Sequence, residues 1–149
     1  MPHRITHLVL LAALCPPAYA DTTLHTHSAW VREAPPGTSV LAAYLTIENP
    51  GPKTETLVSV SSPDFAAGEI HVTNIKDGTA SMIHLTRMAI PARGRQVLAP
   101  GGAHLMLIRP RRALHAGDSI TLRLRFKSGK TLNTPATVTR AEHTPDHSH

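Results

Sequence analysis

Apolar and polar residues alternate along most of this 149-residue chain. The run "SITLRLRF" sets Ile120, Leu122, Leu124 and Phe126 on one side, with Thr121, Arg123 and Arg125 on the other. A period of two is the mark of a strand with one buried face. No long segment carries the i, i+3, i+4, i+7 spacing of an amphipathic helix. The alternation predicts strands over Thr26–Arg32, Val40–Glu48, Glu55–Ser61, Glu69–Ile75, Ala80–Arg87, Arg95–Ala99, Ala103–Arg109, Ser119–Lys127 and Thr131–Thr139. Between them stand "APPG", "NPGP", "KDGT", "APGG", "HAGD" and "KSGK", all turn-forming. Short strands joined in this way predict one all-β domain, an antiparallel β-sandwich or barrel. Pro135, which has no N–H for a ladder, suits an edge strand.

The two ends depart from this pattern. Arg4, the apolar run Leu8–Leu14 and "AYA" before Asp21 form the three-part pattern of a secretory signal peptide, cleaved after Ala20. Its apolar run is too short for a bilayer-spanning helix, and no later run is long enough, so no stable membrane insertion is expected. A lipid-attachment reading of "LAALC" is disfavoured by the bulky Leu14 before Cys15. Residues 1–20 are thus read as signal peptide, 21–140 as the folded domain, and 141–149 as a tail. That tail, "AEHTPDHSH", has almost no apolar content and is expected to be disordered.

Composition narrows the chemistry. Cys15 is the only cysteine and lies in the signal peptide, so the mature chain has no disulfide, thiolate ligand or cysteine nucleophile. Loss of residues 1–20 removes one Arg and no acid, leaving a modest net charge of +4 with His neutral. "RPRR" at Arg109–Arg112 is the one tight basic cluster and reads as a solvated loop. With five aromatic residues in the whole chain, a stacking platform for nucleic acid is not expected.

Histidine and methionine carry the candidate chemistry. "EIHVTNIKDGTASMIHLTR" reads as a β-hairpin around Asp77-Gly78, a pair suited to a type I′ turn. Its strands set Ile70, Val72, Ile83 and Leu85 on one face, and His71, Thr73, Met82 and His84 on the other. A two-residue loop places His71 opposite His84, with Met82 diagonal to His71. In "GGAHLMLIRP", Ala103, Leu105 and Leu107 share the core face, and His104 and Met106 share the other. Imidazoles and thioethers gathered on one sheet face would make a site for a soft metal. Thioether suits Cu(I) and is a poor ligand for Mg, Ca or Zn, while imidazole suits copper generally.

The spacing of His71, Met82, His104 and Met106 is His-x10-Met-x21-His-x-Met. It resembles, without gaps, the motif of the periplasmic copper chaperones of the PCuAC type. "AWVREAPPG", "AAYLTIEN", "PGGAHLMLI" and "LHAGDSITLRLRF" are also similar to that family, over roughly Ala29 to Thr139. The resemblance implies a cupredoxin-like (Ig-like) β-sandwich that holds Cu(I) at an exposed site through those four side chains. It implies delivery of copper to the Cu(A) site of a cytochrome c oxidase subunit, often together with Sco-type proteins. Some members carry Met near the first histidine, where this chain has Val72 and Thr73. Some also carry a His- or Met-rich extension for Cu(II). The tail, with His143, His147 and His149, resembles a short version without methionine.

The expected protein is therefore a periplasmic metallochaperone, a monomer, and not an enzyme, since no catalytic arrangement is recognisable. The alternative is a periplasmic copper buffer or resistance protein without a dedicated client. A blue-copper electron carrier needs a cysteine ligand that the mature chain lacks. A plain adhesion sandwich would leave the His and Met residues incidental. Trp30, His25, His27, His115 and Met88 are read as packing, solvated or turn residues.

Overall fold

The computed structural model describes residues 22–140. The predicted signal peptide, with Cys15, and the tail residues His143, His147 and His149 lie outside the described residues. Ten strands follow in chain order: β1 (His25–Arg32), β2 (Val40–Asn49), β3 (Glu55–Ser61), β4 (Phe65–Lys76), β5 (Thr79–Leu85), β6 (Met88–Ile90), β7 (Gly94–Leu98), β8 (Ala103–Pro110), β9 (Ser119–Phe126) and β10 (Thr131–Thr139). The described residues contain no helix.

The strands hydrogen-bond in the order β5-β4-β8-β2-β1-β10-β9-β3-β6, and β7 pairs with the far half of β2. The path curls back on itself. Gly68 of β4 lies against Val60 of β3, although the two strands are far apart in the order. One apolar cluster fills the enclosed space, with Ile120, Leu122, Leu124 and Phe126 of β9 buried beside Leu45, Ile47, Leu57, Leu105 and Leu107. The alternation in "SITLRLRF" therefore does what it predicts: every second side chain leaves water, and burial of that face drives the closure.

The structure departs from the sequence reading at three points. The pairing is antiparallel except between β1 and β10, which run parallel from Trp30↔Thr137 to Arg32↔Thr139. Pro135 is not on an edge, because β10 lies between β1 and β9. Its missing N–H is tolerated because β1 pairs with β10 only from Trp30↔Thr137 onward, beyond a bulge at Ser28 (φ 55°), so no β1 ladder partner stands against Pro135. The predicted strand Ala80–Arg87 ends at Leu85, and a separate short strand, β6, pairs with β3 through Leu57↔Met88. Met88 is thus a core residue.

A buried carboxylate ties the start of β3 to the β9–β10 turn. Glu55 accepts hydrogen bonds from Lys130 Nζ and Ser128 Oγ, each at 2.7 Å. The Lys130 bond, then the Ser128 bond, hold its pKa below the ordinary value, against the opposing effect of burial. A depressed folded pKa means stability that is fully present above the unfolded value of 4.5 and lost as pH falls through the folded one. Glu55→Gln is expected to cost about 1–3 kcal/mol at pH 7. It should also flatten part of the acid-side fall in stability. Urea unfolding at pH 7 and at pH 3.5 checks both, and an equal loss at the two pH values would contradict the assignment.

Candidate metal centre

The β4–β5 hairpin closes through Asp77 (φ 51°) and Gly78 (φ 75°), both left-handed as a type I′ turn requires. This fixes the register as Lys76↔Thr79, Thr73↔Met82 and His71↔His84. On the other side β4 pairs with β8 as His71↔His104 and Glu69↔Met106. Three imidazoles therefore stand in one row across three strands. The His71 ring centroid is 5.4 Å from that of His84 and 5.9 Å from that of His104. The two methionines flank this row at opposite diagonals. Met82 lies one pleat toward the hairpin tip and is 60% exposed. Met106 lies one pleat the other way and is half-buried beside Ala42.

The tip of the hairpin extends past the packed body of the domain. Val72 and Ile83 share the core side by register, but Ile83 is exposed because nothing packs beyond the tip. At the base of the hairpin Ile70 is buried, and this anchors His71 on the opposite face.

Hydrogen bonds set the tautomers of two rings. His104 Nδ1 lies 3.0 Å from the Gly102 carbonyl, which can only accept, so Nδ1 carries the proton. His71 Nε2 lies 2.8 Å from Glu69 Oε2 and donates to that carboxylate. The hydrogen bond from His71, above all, lowers the Glu69 pKa against the cost of burial. Glu69 is therefore an ionised acceptor. In the neutral rings the lone pairs are left on His71 Nδ1 and His104 Nε2. Both atoms are buried and without a hydrogen-bond partner. Buried polar atoms are almost always satisfied. Two lone pairs left bare on facing imidazoles, each ring steered from behind by an oxygen, form the arrangement that metal-binding histidines use.

The face continues past β8. His104, only 3% exposed, is covered by Tyr44 at 6.5 Å between ring centroids, and Tyr44 packs on Trp30 at 4.5 Å. Trp30 is thus a packing residue, one ring removed from His104. His25 and His27 lie apart on exposed β1, both against Glu48, at 3.4 and 3.1 Å. His115 sits in a turn, its N–H bonded to Asp118. Of the basic cluster, Arg112 braces Asp64 and the Ser119 carbonyl rather than standing free. Sequence reasoning missed Glu69 and Tyr44. Glu69 was within reach of it, since a residue two before His71 on a strand shares its face. Tyr44 needed the β2–β8 pairing.

Among the described residues no His, Cys, Asp or Glu side chains are gathered as a group of three that could hold a metal. Any site here must therefore use the methionines or a side chain that turns in.

Comparison with known proteins agrees with this architecture. Residues 24–138 match the profile of the LpqE-like lipoprotein family. A protein of Leifsonia xyli subsp. xyli (strain CTCB07), named "Putative lipoprotein Lxx21020", is 36% identical over 104 residues, or 69% of this chain. That match spans 61% of the relative, so the chain covers about three fifths of its length. Among solved structures, "Copper-bound PCuAC domain from PmoF2" aligns with a TM-score of 0.68 at 21% identity, over 82% of this chain and 97% of that one. CuI-DR1885 from Deinococcus radiodurans aligns with a TM-score of 0.62 at 30% identity, over 81% of this chain and 79% of that one. With the profile running almost from the first described strand to the last, the chain belongs to the LpqE-like family, and it shares its fold with the PmoF2 domain and DR1885.

Proposed function

We propose that this protein is an exported copper carrier, binding one Cu(I) through His71, Met82, His104 and Met106. The observation that carries the reading is the pair of buried, unpartnered imidazole nitrogens, His71 Nδ1 and His104 Nε2, on neighbouring strands. Two neutral nitrogens and two thioether sulfurs suit a soft monovalent ion, and the long unbranched methionine side chains can swing over the imidazole row. Glu69 and the Gly102 carbonyl orient the rings. The copper named in the descriptions of the PmoF2 domain and of DR1885 supports the same cargo.

In this reading the protein is a binding protein, not an enzyme, and hands copper to the Cu(A) site of a cytochrome c oxidase subunit alongside Sco-type proteins. The tail histidines His143, His147 and His149 act as an auxiliary Cu(II) collector. The periplasm is the place of action, with cleavage after Ala20. The lipoprotein names of the family and of the relative favour a second reading of the amino terminus, in which Cys15 carries a lipid anchor. The intact mass of the mature protein separates the two.

Anaerobic Cu(I) titration against a competing chelator is expected to give one ion per chain. X-ray absorption of that form should show sulfur and nitrogen shells together. A spectrum without sulfur would remove Met82 and Met106 from the site. Failure to load an apo Cu(A) domain, with Cu(I) binding intact, would favour a buffering role over delivery.

A further inference from the structure

We infer that the same face holds a second, all-nitrogen donor set, His104–His71–His84, which takes Cu(II) when the copper(I) set does not suit the ion. The inference rests on the proposed copper site and deepens it. His84 is absent from the His-x10-Met-x21-His-x-Met spacing, yet the fold puts it nearer His71 than His104 is, at 5.4 against 5.9 Å between ring centroids. It stands directly across from His71, where Cβ atoms lie about 4.5–5.5 Å apart, whereas Met82 is at the diagonal, at about 7–8 Å. By register, two β5 side chains neighbour His71 on this face, a thioether at the diagonal and an imidazole directly opposite.

The choice between them follows the ion. Cu(I) accepts sulfur readily; Cu(II) prefers nitrogen and has little use for a thioether. His71 and His104 serve both ions, since each offers a buried bare nitrogen. The His84 side chain is exposed and makes no hydrogen bond among the described residues; its ring lies tilted beside that of His71, with Glu69 nearby. It can turn about its Cα–Cβ bond without breaking a bond or emptying the core. As placed, the three rings do not form a metal-binding group, so the set is completed only if His84 turns toward the other two.

The test uses the full chain carrying His143→Ala, His147→Ala and His149→Ala, so that the tail contributes nothing. In this background Cu(II) sulfate is titrated against a competing chelator, and electron paramagnetic resonance reads the nitrogen couplings. Cu(I) is titrated anaerobically in parallel. His84→Asn and His84→Gln are each expected to weaken Cu(II) binding by about 10-fold or more and to remove one nitrogen coupling. Cu(I) affinity should change far less. Circular dichroism of both variants establishes that the fold is kept, as expected for an exposed position. The inference is overturned if the tail-free chain does not bind Cu(II), or if neither variant changes Cu(II) binding. An equal loss of Cu(I) and Cu(II) would also overturn it, because His84 would then belong to a single common set. Absence of Cu(I) binding in the unsubstituted protein would instead defeat the underlying copper-carrier reading.

Discussion

His71→Ala is expected to weaken Cu(I) binding by more than about 100-fold, and His84→Ala far less. Loss of a residue that merely orients a ligand costs about 10–100-fold in affinity, so loss of the ligand itself should exceed that. The two histidines face each other across the hairpin, and their separation along the sheet does not distinguish them. Their surroundings do. His71 is largely buried, its Nε2–H is fixed on Glu69, and its Nδ1 lone pair has no partner. Its ring is already oriented before an ion arrives. His84 is exposed and must give up rotational freedom to bind. Anaerobic chelator competition on the two variants measures the difference. Equal losses, or a larger loss in His84→Ala, would move the Cu(I) ligand to the other strand.

Gly68→Val is expected to destabilise the fold by about 3 kcal/mol and to lower Cu(I) affinity with it. A Cβ at Gly68 would stand 2.7 Å from the Val60 carbonyl oxygen and 3.1 Å from its carbonyl carbon. Those are backbone atoms of β3 and cannot swing aside as a flexible side chain would. Either β4 or β3 must move. Gly68 directly precedes Glu69, and His71 lies one pleat further on, so a displaced β4 carries the steering carboxylate and the first histidine with it. Denaturant unfolding measures the first effect and chelator competition the second. A variant with wild-type stability would show that the sheet ends are not pressed together at this point.

The hairpin was legible in advance for a simple reason. Asp77-Gly78 can adopt two left-handed residues in succession, a two-residue loop leaves no freedom of register, and His71 must then oppose His84. The strand pattern was legible because a face that leaves water must be apolar at every second position, as in β9. Pro135 misled because its missing donor is a local fact, while the partner strand's departure at Ser28 is a distant one. Ile83 shows a related limit: alternation tells which face a residue is on, and its face is as read, but not whether anything lies against that face.

By itself the sequence determined a cysteine-free all-β domain and the order of its turns. It also determined that His71, Met82 and His84 share one face of a hairpin, while His104 and Met106 share one face of another strand. These follow from the local geometry of the chain, in which neighbouring side chains point to opposite sides. Only the tertiary structure decided that the two faces are one. It paired β4 with β8 so that His104 lies across from His71, and it brought Tyr44 over His104. It also left two imidazole nitrogens buried and bare. Strand pairing joins residues far apart in the chain through backbone hydrogen bonds that every sequence can make. The choice of partner is settled by which arrangement closes the apolar core, a property of the whole chain.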